Sequence, residues 1–320
     1  MKLFEHPDFD QAIIRSTDYF KSLGFREAFI EKDYYVTETL RMIQKEAGDK
    51  VIFKGGTSLS KGWNLIHRFS EDVDIFFDPY TFTPPLGKNA INCELKKLKE
   101  KLGAHPALKF LEKESRTIGG FGRADYFEYK QKFGGRGDII NKILVETGTA
   151  SGKEPTANIK IQSYLGKYLR ENGLSLNAED EDSFKMNLLH FRRTFVEKLF
   201  AIHAKVELSK KSGIGIGGYA RHYYDLFCLS DRDEVWEMLR SDEYEKIKSD
   251  YNNVCMIHFK KNYIPPEAMS FSNSDAIFPN EDLDMKLGKE YEKQCHLLCF
   301  GDYPSWVQVK DRFQQMKDLL

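Results

Sequence analysis

The sequence predicts an α/β fold of the α+β kind: a core built on a mixed β-sheet, followed by a mostly helical C-terminal half. Three observations carry this. Short apolar runs at Val51-Ile52-Phe53, Val73 to Phe77 and Ile143-Leu144-Val145 have the length and bounding of buried strands. Helical spacing precedes and separates them. From residue 158 onward the apolar spacing is helical almost throughout. The expected division is therefore residues 1–157 and 158–320.

Taken in order, residues 8–47 carry helical spacing with few breakers, read as two helices parted near Gly24 and ending at Gly48. Strands are expected at 50–54 and 72–77, with a helix near 58–67 between them. Pro79, Pro84, Pro85 and Gly87 mark a loop, and 89–102 a polar helix. The stretch from Thr117 to Gly137 is ambiguous, with Tyr126 to Tyr129 fitting a strand and Gly134 to Gly137 a turn. Ile139 to Thr147 reads as a further strand. Residues 158–171 and 184–210 are expected as helices, Gly213 to Gly218 as a flexible insert, and Ala220 to Leu229 as a helix. The remainder is helical, broken at Pro265-Pro266, Pro279 and Pro304.

Composition narrows the function classes. Of the 320 residues, 41% are apolar, enough for a real core, and 30% are charged, as in a soluble protein. No stretch approaches the ~20 apolar residues of a membrane span, and the first residues lack a signal peptide's apolar region, so a cytosolic location without membrane partners is expected. Five scattered cysteines do not suggest a disulfide framework. With 48 basic and 49 acidic residues the net charge is −1, which argues against retention on nucleic acid by bulk charge. Local basic clusters remain: Lys96, Lys97, Lys99 and Lys101, a solvated helix face, and Arg192, Arg193, Lys198, Lys205, Lys210 and Lys211.

The most informative segment is Lys54-Gly55-Gly56-Thr57-Ser58-Leu59, followed by Arg68-Phe69-Ser70-Glu71-Asp72-Val73-Asp74. Strand side chains alternate, so Asp72 and Asp74 point the same way. Parallel carboxylates at a strand end suit divalent ions, which prefer hard oxygen ligands; Mg²⁺ (or Mn²⁺) is expected, since it takes one or two carboxylates plus substrate phosphates. Gly55 and Gly56 let backbone amides approach a triphosphate at a helix start. Thr57 or Ser58 would cap that helix or donate to a phosphate. This is not the Gly-x-x-x-x-Gly-Lys-Ser/Thr phosphate loop. Lys54 and Lys61 read as solvated or pairing lysines, and Ser70 as sharing the strand face of Asp72.

Strand, glycine turn, helix and Asp-x-Asp strand are the layout of a nucleotidyltransferase site. The pattern resembles the polymerase-beta-type nucleotidyltransferase superfamily and, within it, the AbiEii/AbiGii-type toxin family. The family order is matched by Glu31-Lys32-Asp33-Tyr34-Tyr35-Val36, the two segments above, Ile143-Leu144-Val145-Glu146 and Arg221-His222-Tyr223-Tyr224-Asp225-Leu226. The resemblance implies that Glu146 is the third acid, assisting the attacking hydroxyl, with Asp138 as the alternative. It implies that Lys198, in Glu197-Lys198-Leu199-Phe200-Ala201, neutralises the triphosphate, and that the segment with Arg221 and Asp225 returns to the nucleotide. In related toxins the Ser70 position can carry phosphate, so the resemblance implies a regulatory or phosphate-contacting site there; a plain strand-entry serine is the alternative. Arg221 and Asp225, at i and i+4, could equally form a structural ion pair. Glu31, Lys32 and Asp33 have no evident chemical role and read as interhelix ion pairs.

These features imply transfer of a nucleotide from an NTP to an acceptor hydroxyl, by the toxin of a toxin–antitoxin or abortive-infection (phage-defence) pair. A tRNA 3′ end or other RNA would be the acceptor, and a cognate antitoxin the partner. The alternatives are a small-molecule, antibiotic-like or protein acceptor, and a nucleotide-binding module without turnover.

Overall fold

The computed structural model describes residues 1–70, 72–134 and 139–320. Contacts gather into two units: residues 1–63 with 70–189, and residues 64–69 with 190–320. The division expected at 157/158 falls inside the first unit, within a strand at Thr156–Ile161 whose sheet also takes a strand at Phe184–Leu189.

In the first unit, α1 (Phe9–Tyr19) and α2 (Glu27–Ala47) are separated at Gly24, which takes a left-handed φ of +74°. β1 (Val51–Lys54) leads into a three-residue α3 (Gly55–Thr57), continued by a wider-wound turn, Ser58–Gly62. There follow β2 (Val73–Phe77), α4 (Lys88–Gly103), β3 (Lys109–Phe110), β4 (Arg116–Ile118), β5 (Gly122–Glu128) and β6 (Lys142–Gly148). β7 (Thr156–Ile161), α5 (Tyr164–Glu171) and β8 (Phe184–Leu189) complete it.

The strands form one mixed sheet in the order β3-β5-β6-β2-β1-β8-β7, with β4 also paired to β5. β2 is antiparallel to β1 and parallel to β6. Alternation along these three central strands buries Val51, Phe53, Val73, Ile75, Phe77, Ile143 and Val145 on one face. Full burial of such side chains stabilises by about 1.5–3 kcal/mol each. The opposite face carries Ile52 and Phe76, clustered with Leu189, and beside them the polar positions of the site.

Three expectations are corrected. Residues 158–161 belong to a strand, not a helix: Thr156 to Ile161 alternates exposed polar with less exposed residues and pairs antiparallel with β8. Residues 184–189 are likewise β8, and the long helix starts after His190, whose ring accepts the Arg192 amide. The helix after the glycine turn ends at Gly62 rather than 67. Beyond it the backbone bonds elsewhere: the Phe69 amide donates to the Leu298 carbonyl at 2.7 Å and the Phe300 amide to the His67 carbonyl at 2.8 Å.

The second unit is helical around α6 (Phe191–Ser212), which packs on α7 (Arg221–Leu229), α8 (Asp233–Leu239) and α9 (Asp242–His258). α10 (Glu281–Leu298) and α11 (Trp306–Met316) pack on α7. The glycine-rich insert is tethered, its Gly217 amide donating to Glu290 at 2.7 Å.

Candidate active site

Strand register sets the geometry. Lys54 on β1 lies opposite Asp74 on β2, Asp74 beside Glu146 on β6, Glu146 opposite Ala124 on β5, and Ala124 opposite Arg116 on β4. Residues in one cross-strand row share a face. The row therefore reads cation, alanine, acid, acid, cation, with Asp72 two residues ahead of Asp74. Burial raises the Glu146 carboxyl above the usual carboxylate range; the charges of Asp74 and Asp72 push it further, against Lys54 and Arg116. Glu146 is thus a carboxyl with two anionic neighbours, as a third acid requires.

Gly55 is dictated by this row. Its φ is +78°, and a Cβ there would lie 2.0 Å from Asp74 Oδ2. The carboxylate of Asp74 rests where any other residue would place a side chain. The first amides of the turn, at Gly55, Gly56 and Thr57, have no partner further back in the helix by construction.

Thr57 and Ser58 do not cap the helix. Both are buried in the turn. Thr57 Oγ1 donates to the Asp72 carbonyl at 2.5 Å and lies 3.0 Å from the Ser70 hydroxyl. Ser58 Oγ donates to the Gly55 carbonyl at 2.8 Å. These hydroxyls tie the turn to the entry of β2 and to itself. Ser70 precedes β2 rather than lying on the strand. Asp138, the alternative third acid, lies outside the described residues.

The donor set fits a magnesium-type ion in kind: Asp72 and Asp74 would offer hard carboxylate oxygens, beside a Glu146 carboxyl that their charge raises. Among the described residues no three His, Cys, Asp or Glu side chains are gathered to hold an ion by themselves. An ion bound through one or two carboxylates and substrate phosphates does not require three.

The second unit assembles the other predicted residues. Asp225, fully buried, accepts Arg68 Nε at 2.6 Å and Nη2 at 2.8 Å, and forms an ion pair with Lys198 Nζ at 2.6 Å. Burial alone would raise its carboxyl, but Arg68 and Lys198 hold it well below the usual range. The partner of Asp225 is Arg68, not Arg221; the Arg221 Nε is buried without a hydrogen-bond partner among the described residues. Lys198 Nζ also lies 3.0 Å from His222 Nδ1. The same Nδ1 lies 3.4 Å from Asp225 Oδ2, so it faces both members of the ion pair. Burial and the Lys198 charge hold His222 neutral, with its pKa pushed down to about 3. Burial also lowers Lys198, against the attraction of Asp225. Arg68 and Lys198 share one carboxylate, so the cluster carries excess positive charge.

Sequence reasoning missed Lys54 and Arg116 as members of the row, and Arg68 and His222 as partners of Asp225 and Lys198. Lys54 was findable, since it ends the strand that the glycines follow; the others needed register and tertiary pairing. The second basic cluster is largely ion-paired, Arg192 to Glu243 at 3.0 Å, Arg193 to Glu197 at 2.9 Å and Lys210 to Glu207 at 2.8 Å.

Among solved structures, the chain is similar to MenT4, a nucleotidyltransferase toxin from Mycobacterium tuberculosis H37Rv. The TM-score is 0.54 at 15% identity, over 96% of this chain and 89% of that one, which establishes a shared fold. A comparison with curated proteins finds no match. Among the described residues no helix is long and apolar enough to cross a membrane. Residues 40–295 match the family described as "Nucleotidyl transferase AbiEii toxin, Type IV TA system". That match takes in the glycine turn, the acidic row and the Lys198–Asp225 cluster, and the chain belongs to this family of nucleotidyltransferase toxins.

Proposed function

We propose that the protein transfers a nucleoside monophosphate from an NTP to an acceptor hydroxyl in the cytosol, with Mg²⁺ or Mn²⁺ held by Asp72 and Asp74. The observation that carries this reading is the packing of the Asp74 carboxylate on Gly55, which sets an acid suited to a metal ion against the opening amides of a helical turn. A bound divalent ion would neutralise charge developing on the phosphates. The chain's own residues do the rest. The amides of Gly55 and Gly56 bind phosphate oxygens, while Thr57, Ser58 and Ser70 hold the turn in register. Glu146, its carboxyl raised, accepts the proton of the attacking hydroxyl. Lys198 and Arg221 supply positive charge to the triphosphate, with Asp225 fixing the direction of Lys198.

The acceptor we propose is RNA, a tRNA 3′ end in particular, and the biological setting a toxin silenced by a cognate antitoxin and released in phage defence. Incubation with each labelled NTP, Mg²⁺ and total RNA tests this. Label in tRNA supports it. Label only in small molecules or protein transfers the assignment to a different acceptor, and no label from any NTP refutes the transferase reading.

A further inference from the structure

Glu31, Lys32 and Asp33 are consecutive charged residues on α2, and all three are buried, with 0%, 1% and 8% exposure. Buried charge is costly unless each group is paired. Helix residues follow one another at ~100°, so three in a row reach in three directions.

Asp33 reaches the glycine turn. Its Oδ1 accepts Lys61 Nζ at 2.6 Å and its Oδ2 accepts the Tyr164 amide at 2.8 Å. Lys61 lies in the last turn of the helical segment opened by Gly55. It also donates to the Gln162 carbonyl at 3.3 Å. Glu31 and Lys32 reach the β5–β6 connection. Glu31 accepts the amides of Lys132 and Phe133 at 2.8 and 3.1 Å, and Lys32 Nζ donates to the Ile140 carbonyl at 2.9 Å. Asp33 thus makes the expected helix-to-helix ion pair, with Lys61, whereas Glu31 and Lys32 bind the β5–β6 connection instead.

Both segments lie toward the sheet end at which Asp72 enters β2. β1 runs antiparallel to β2 and delivers Gly55 to the sheet end where Asp72 precedes β2. β6 runs parallel to β2, so the connection entering β6 lies at that same end. We propose that Glu31, Lys32 and Asp33 are positioning residues of the nucleotide site, a role that rests on the transferase reading above. Asp33, through Lys61, fixes the turn that presents the Gly55 and Gly56 amides. Glu31 and Lys32 fix the loop feeding the strand of Glu146.

The Asp33→Asn variant alone leaves Lys61 buried without its carboxylate and loses stability. The informative protein is the double variant Asp33→Asn/Lys61→Met, which removes both charges with little change of volume and keeps an acceptor for the Tyr164 amide. Its thermal unfolding should match wild type. Hydrogen exchange of the amides of residues 55–62, without nucleotide, should then be at least ~10-fold faster, and kcat/KM for NTP roughly 10²-fold lower, chiefly through kcat. A pair that served stability alone would recover activity together with stability. Wild-type protection over 55–62 overturns the proposal, and so does faster exchange with wild-type kcat/KM. Should the double variant not fold, Lys61→Gln, which keeps a donor toward Asp33, is judged by the same two measurements. If the wild-type protein itself transfers no nucleotide, the transferase reading fails, and the exchange result alone decides whether α2 clamps the turn.

Discussion

Replacing Gly55 by alanine adds one methyl group at the most constrained position of the site. Two costs follow. A left-handed φ of +78° is open to glycine and costs an alanine about 1–2 kcal/mol. The new Cβ would also meet Asp74 Oδ2 at 2.0 Å, where real Cβ contacts essentially never fall under 3.0 Å, so the carboxylate must retreat by about 1 Å. A displacement of ~1 Å in a reacting geometry costs about 10²-fold in rate, or about 2.7 kcal/mol of barrier. Gly55→Ala should therefore lose ~10²-fold or more in NTP transfer while losing only a few kcal/mol of stability. Transfer of labelled NTP and urea unfolding on the same preparation measure both. Wild-type turnover in a folded Gly55→Ala protein would show that Asp74 need not rest on this turn, and the phosphate–metal arrangement built on it would fall.

Three further outcomes follow from the electrostatics. The Glu146 carboxyl is raised above the ordinary ~4.3, so its contribution to stability is complete below that range and is lost as pH rises through the raised value. Glu146→Gln should accordingly raise Tm at neutral pH while cutting transfer by ~10²-fold or more; an unchanged or lower Tm contradicts the repulsion assigned to Asp74 and Asp72. Asp225 is held well below its ordinary range, so its stabilisation is present above that range and lost as pH falls through the depressed value. Asp225→Asn leaves Arg68 buried without a counter-charge and should cost about 3–5 kcal/mol in urea unfolding at neutral pH, whereas a loss under 1 kcal/mol would contradict the shared ion pair. Lys198→Ala should weaken NTP use by ~10²-fold or more; unchanged NTP kinetics would reduce Lys198 to a structural partner of Asp225.

Much of this site was legible because its grammar is local. Asp72 and Asp74 are two residues apart and Gly55 follows its strand directly, so side-chain alternation and turn chemistry suffice. Glu146 was reached through resemblance, and its place beside Asp74 is a matter of register, which one strand's sequence does not encode. The segment 158–161 misled because Ile159 and Ile161 are spaced as a strand requires, yet stand just ahead of a genuine helix with apolar residues of its own. Thr57 and Ser58 misled because hydroxyls at a helix start are read as caps, whereas here both donate inward to carbonyls. Asp225 suggested Arg221 by i, i+4 spacing, but Arg68, 157 positions away, holds it with two hydrogen bonds. The charges of α2 stayed opaque for the same reason, since every partner they bind lies in another segment.

The central claim is that the acidic row beside Gly55 performs nucleotidyl transfer. Its most direct measurement is label transfer from NTP by wild type and by Asp74→Ala, with Mg²⁺ or with a chelator, after both proteins are shown to unfold at matched temperatures. Transfer by wild type with Mg²⁺ alone, and none by Asp74→Ala, is the predicted result. Equal transfer by the folded Asp74→Ala protein, or wild-type transfer undiminished by the chelator, would contradict it.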